Sequence, residues 1–206
     1  MRIVISITLL IIGISYNAKA QQWLLLGLSG GASHSHISGT VDFYQASPIF
    51  GFNGTVKAVG DFKRVRAGIA LEAGNIAGKV VKQHISTRSG DARKTLAENN
   101  SIAGAYKLPH AFVHGKINLK GGNYIFAGGM AGWIMGNSQV AERSFSSFAF
   151  GIDAGVVFQL TSRLGLELAE GWRHTQISGN VYPGKNMQHR LDYFNTNVGV
   201  MYSFGK

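Results

Sequence analysis

Two short histidine clusters hold the side chains best suited to nucleophilic or metal chemistry. His84-Ile85-Ser86 sets an imidazole two residues from a hydroxyl, with Glu98 downstream, and His34-Ser35-His36 offers a similar pairing. An imidazole can take a serine proton and a carboxylate can orient the imidazole, but geometry defines that constellation, not spacing. Both clusters fall between the regular stretches of the chain, with no rigid element behind them, and serine is common in loops. No catalytic residue is assigned, and the chain is read as a non-enzyme. Two histidines without a nearby third ligand do not make a structural metal site, so no metal is expected. The chain has no glycine motif of the dinucleotide or phosphate-loop kind, and no cofactor is expected.

Charge offers two further constellations. Lys79, Lys82, Arg88, Arg93 and Lys94 crowd one tract, opposed only by Asp91 and Glu98. Clustered cations gain most against a multivalent anion, so this tract is a candidate anion-binding loop. The other set is dispersed. Lys57, Arg66, Lys116 and Arg173 are interspersed along the chain with Glu72, Asp153 and Glu167. What these seven residues do depends on the elements that carry them.

Those elements read as strands. From about residue 49 to 204, stretches of ten or so residues alternate between large apolar side chains and glycine with a few polar residues, the two-residue period of a strand. Over residues 191–205, Phe194, Val198, Val200, Tyr202 and Phe204 share one face, and Asn195, Asn197, Gly199 and Ser203 the other. Eight strands are expected, near residues 22–32, 49–59, 64–77, 107–119, 123–135, 146–160, 163–176 and 191–205. Their connections alternate. Gly60-Asp61-Phe62-Lys63, Lys120-Gly121-Gly122 and Thr161-Ser162 are short and built from turn residues. Residues 33–48, 78–106, 136–145 and 177–190 form long loops. Three short turns and four long loops describe an eight-stranded antiparallel up-and-down transmembrane β-barrel. All seven dispersed charges then fall on the glycine-bearing face, where they would pair as a polar network filling the lumen, because an isolated buried ion is prohibitively costly. The fifth strand does not sort, since both of its parities are apolar or glycine. Glu170 falls on the apolar parity and is expected near the outer rim or beside a bulge.

A soluble eight-stranded barrel with its apolar face inward is the competing architecture. Glycine discriminates between the two. A water-facing surface has no reason to be rich in glycine and poor in charge, whereas a lumen barely wide enough for side chains does. Charged residues are only 15% of this chain, and 28 residues are glycine.

The first twenty residues stand outside the barrel. Arg2 precedes an apolar stretch over residues 3–14, and Ala18-Lys19-Ala20 supplies small residues at a cleavage site. Residues 1–20 are read as a secretory signal peptide and 21–206 as one barrel domain. No cysteine follows, so neither a lipoprotein nor a disulfide is expected. The formal charge of +10 would suit nucleic acid in a cytoplasmic protein. For an exported one, lipopolysaccharide or anionic lipid is the expected counterpart, with no nucleic acid and a monomeric state.

The signal peptide ending Lys19-Ala20-Gln21, Gly128-Gly129 after the Lys120-Gly121-Gly122-Asn123 turn, Leu166-Glu167-Leu168 after Thr161-Ser162, and the closing run Val198 to Phe204 carry a resemblance. The chain resembles the small outer-membrane β-barrel family that includes OmpX and the transmembrane domain of OmpA, in the form common in Bacteroidetes. The resemblance spans the whole chain after the signal peptide. It implies the cell outer membrane of a Gram-negative envelope and a structural or surface-interaction role. It implies as alternatives a lipid-modifying enzyme of the lipid A deacylase kind, or a narrow channel or accessory subunit of an export system. Gly205-Lys206 follow the final aromatic, a departure from the family's commonest ending.

Overall fold

The structure is a computed structural model that describes residues 23–39, 45–48, 50–82, 101–138, 143–182 and 185–204. The expected signal peptide and the sequences around His84 and Arg88 lie outside the described residues. Within them the chain is almost wholly strand: β1 (Trp23–Gly39), β2 (Gln45–Pro48), β3 (Phe50–Asp61), β4 (Val65–Lys82), β5 (Ser101–Asn118), β6 (Tyr124–Ser138), β7 (Arg143–Gln159), β8 (Leu164–Tyr182) and β9 (Lys185–Ser203). Each pairs antiparallel with its neighbours, and β1 pairs with β9, which closes the sheet. The short β2 pairs with β1 and β4, the same two strands that flank β3, so β2 and β3 occupy one position in the wall. The result is an eight-stranded closed up-and-down barrel.

Its short connections are tight. Phe62 N donates to Val65 O at 2.8 Å, and Leu160 N donates to Leu164 O at 2.8 Å. Gly121 and Gly122 take φ of 73° and 81°, a left-handed region that side chains with a Cβ disfavour. Thr161 Oγ1 accepts from Leu164 N at 3.0 Å, a hydroxyl closing the turn as its sequence suggests. The start of β1 and the end of β9 lie at this same short-turn end.

The faces follow the expected parity. Leu26, Phe52, Val56, Ile69, Ile152 and Val200 point outward and are exposed, among 25 large exposed apolar side chains of the described residues. That is far more apolar surface than a monomer keeps in water. The inward-facing architecture is therefore excluded. Inward positions are small where the wall is tight. A Cβ on Gly128 would stand 2.1 Å from Val113 O, and one on Gly151 2.0 Å from Trp172 O. Only glycine lets the strands curve this closely.

Three expectations need correction. First, the strands run beyond the boundaries read from hydrophobic period. β8 and β9 are 19 residues each and meet at Tyr182↔Lys185, inside the segment read as a loop. β4 continues to Lys82 and β5 begins at Ser101. These outer ends pair through backbone hydrogen bonds without an apolar stripe to announce them. Second, β6 does sort: Tyr124, Phe126, Met130 and Ile134 are buried inward, and Ile125, Trp133 and Met135 are exposed outward. Both its faces are apolar, so hydrophobic period carried no signal there. Third, Glu170 is neither at the rim nor beside a bulge. It lies in unbroken ladders, Ala154↔Glu170 and Glu170↔Thr196, pointing outward within the apolar belt.

Candidate functional site

Period two on curved strands delivers the charged side chains to the barrel interior, and their partners come from across it. Lys57 on β3, Arg66 and Glu72 on β4, Lys116 on β5, Asp153 on β7, and Glu167 and Arg173 on β8 all point inward. Every one of the seven makes an ion pair. They are linked by residues that the sequence reading did not assign to the network.

Glu167 sits between two cations. Lys57 Nζ donates to its Oε1, and Arg66 Nη2 donates to its Oε2 at 2.9 Å. The Arg66 guanidinium also lies 3.9 Å from the centroid of the Phe126 ring. That stacking accounts for part of the inward aromatic face of β6, since an arginine plane gains from a ring face where water is excluded. Tyr124 accepts a long bond from Arg66 Nη1 at 3.5 Å.

Asp153 holds the middle. It accepts from Arg173 Nη1 at 2.6 Å, and its other oxygen lies 3.2 Å from His114 Nε2. The His114 ring stacks between Phe112 and Phe126, at centroid distances of 4.7 and 5.2 Å. Arg173 then reaches up to Glu72 through Nη2 at 3.3 Å. Glu72 is caged by neutral donors as well. Tyr106 OH donates to Oε1 at 2.6 Å, Asn195 Nδ2 at 2.8 Å and Tyr193 OH at 3.3 Å.

At the short-turn end Lys116 Nζ donates to Asp61 Oδ1 at 2.6 Å and lies 4.6 Å from the centroid of the Tyr124 ring. In sequence Asp61 falls in the Gly60-Asp61-Phe62-Lys63 turn. Its parity with Lys57 and Asn53 was the available signal. With Asp61 included, four interior cations meet four interior carboxylates among the described residues. Tyr106, Tyr193 and Asn195 were missed as Glu72 donors because nothing in sequence spacing links β4 to β5 and β9 at one height.

The network leaves little room. The space between Lys57, Arg66, His114, Asp153, Glu167 and Asn197 is about 40 Å³, enough for a few water molecules and no larger solute. The arrangement can fill, brace and electrically neutralise a barrel.

Of the other candidate histidines and cations, only His34 has a described side chain. His34 lies on an outward position of β1, half-buried. His36 is in the same strand, with its side chain outside the description, and His84, Ser86 and Glu98 lie outside the described residues. Lys79 and Lys82 belong to β4; their side chains, and Arg88, Arg93 and Lys94 altogether, lie outside what is described. No group of three acidic, histidine or cysteine side chains able to hold a metal occurs among the described residues.

No family model matches the chain, and no curated protein matches it in sequence. Solved structures do match in shape. The crystal structure of Neisserial surface protein A superposes with a TM-score of 0.55 at 12% identity, over 87% of this chain and 97% of that one. The outer membrane protease OmpT of Escherichia coli gives 0.43 at 9% identity, over 89% and 96%. The outer membrane protein AlkL gives 0.46 at 11%, over 92% and 94%. At these identities a likeness speaks for architecture alone, and the first of them shows that the chain shares the small closed barrel fold of Neisserial surface protein A.

Proposed function

We propose that the chain is an integral outer-membrane β-barrel, closed by its own side chains, with a structural or surface-contacting role rather than a catalytic one. The observation that carries this reading is the pairing of an apolar belt outside with a charge-balanced, ion-paired interior. Lipid is the medium that rewards the first, and a plug is what the second builds. The likeness to Neisserial surface protein A supports the same location, and residues 1–20 supply the export signal it needs. The basic tract from Lys79 to Lys94 is placed on the outer side in this reading, where lipopolysaccharide phosphates are its natural counterpart.

Fractionation with the outer membrane, and a different gel mobility before and after boiling, test the location. Recovery as a soluble protein with no heat shift sinks it. Planar-bilayer recording tests the plug: no large stable conductance is expected, and porin-sized steps from pure protein overturn the closed interior. Replacing Lys79, Lys82, Arg88, Arg93 and Lys94 by Gln should weaken lipopolysaccharide binding at low salt, with the difference fading as salt rises. Equal binding at low salt would leave the loop without this role.

A further inference from the structure

Glu170 is a carboxylate set in an apolar wall. On its own strand Leu168 and Trp172 flank it, and across β9 the next outward residues are Val198 and Phe194. Ile152 lies one outward step away on β7. Leu168, Val198, Phe194 and Ile152 are all exposed. Glu170 itself is exposed, and so is its cross-strand partner Thr196. Neither side chain makes a hydrogen bond or ion pair with a described residue. An ionisable group facing lipid is costly and calls for a partner. Across the barrel, on β4 and β5, the wall obeys the expected rule: Ile69, Val113 and Ile117 face outward with no acid among them.

What this patch offers is complementary to itself. Glu170 is an acceptor on β8 and Thr196 is a hydroxyl donor directly opposite on β9. A two-fold axis along the membrane normal, lying outside the wall in front of the β8–β9 seam, sets each Glu170 against the other copy's Thr196 and yields two equivalent hydrogen bonds. A closed symmetric pair needs one self-complementary patch of this kind. The flanks permit close approach, because the same row continues into Ala154 on β7 and Ala32 on β1. Small residues beside a polar pair are how membrane-embedded surfaces meet when no hydrophobic drive separates protein from lipid. A cation on a different protein would satisfy Glu170 alone. It would leave the hydroxyl opposite and the small flanks without a purpose.

We propose that two copies of this chain associate in the membrane through the outward face of β8 and β9, with Glu170 of each accepting a hydrogen bond from Thr196 of the other. This rests on the reading of the belt as lipid-facing, and it replaces the monomer expected from sequence. The chain contains no cysteine, so single cysteines report contacts cleanly. Val198→Cys lies beside the proposed axis, and Val113→Cys on β5 lies on the far wall. Both proteins are reconstituted into phosphatidylcholine vesicles and oxidised. Val198→Cys should form a disulfide-linked dimer and Val113→Cys should not. Adding Glu170→Leu or, separately, Thr196→Val to the Val198→Cys protein should lower the dimer yield roughly tenfold, since both equivalent hydrogen bonds go together. The Thr196→Val protein keeps the test open should Glu170→Leu fail to fold. Equal yields from the two cysteine positions overturn the proposal, as does a Val198→Cys yield unmoved by both added substitutions. Loss of the heat-dependent gel shift in the parent protein would instead break the membrane reading, so the two failures are distinguishable.

Discussion

Glu167 and Glu72 are carboxylates buried to the same degree, 2% and 1% exposed, on opposite strands of one barrel. They are neutralised by different means. Glu167 lies between two cations, Lys57 and Arg66, and has no neutral donor among the described residues. Glu72 meets one cation, Arg173, and three neutral donors, Tyr106, Tyr193 and Asn195. The cations differ in the same way. Arg173 retains Asp153 if Glu72 is lost, whereas Lys57 and Arg66 have no second carboxylate contact among the described residues. One carboxylate therefore anchors charge, and the other anchors hydroxyl and amide groups.

The largest effect is expected at the charge anchor. Glu167→Ala leaves two cations unpaired and should cost roughly 3–5 kcal/mol, less if water enters the space. Urea unfolding in lipid vesicles reads this as a fall in midpoint. Glu72→Ala leaves two phenols and an amide without their acceptor but keeps Arg173 paired, so its cost should be about 2–3 kcal/mol. An effect at Glu72 as large as that at Glu167 would break the comparison and show the neutral donors carrying as much as the cations. Removing one donor sharpens it further. Tyr106→Phe deletes the shortest of the Glu72 hydrogen bonds and should cost about 1 kcal/mol. Smallest of all is Asp61→Asn at the short-turn end. The Asp61 side chain is more exposed than those of Glu72 and Glu167 and lines a space of about 210 Å³ at the short-turn end, so the loss should be within about 1 kcal/mol. A large destabilisation there would show the short-turn end to be as dry as the middle.

Much of this interior was legible from period two alone. Arg66, Glu72, Glu167 and Arg173 alternate with Val65, Leu71, Leu168 and Trp172, and a strand has no way to place both sets on one side. What failed to show has specific causes. Asp61 sits where glycine and phenylalanine spell a turn, and only its parity ties it to the lumen. Phe126, Met130 and Ile134 face inward beside the charges, and an inward aromatic that stacks on a guanidinium looks in sequence like an outward one that meets lipid. The outer halves of β8 and β9 lack an apolar stripe and are paired through the backbone, so they read as loop. Glu170 was visible as an exception to the pattern, but the sequence could not tell a rim from the middle of a wall.

The length of the β8–β9 hairpin has a consequence for reach. Nineteen residues of strand at about 3.3 Å each, inclined by roughly 40°, rise about 48 Å. An apolar band about 25 Å tall takes up only half of that. In the proposed membrane setting the rest stands clear of the bilayer as paired backbone, a mast rather than a tether. A partner docking on paired strand meets a backbone whose shape is already set, and so forgoes most of the entropic penalty that an unpaired loop would impose.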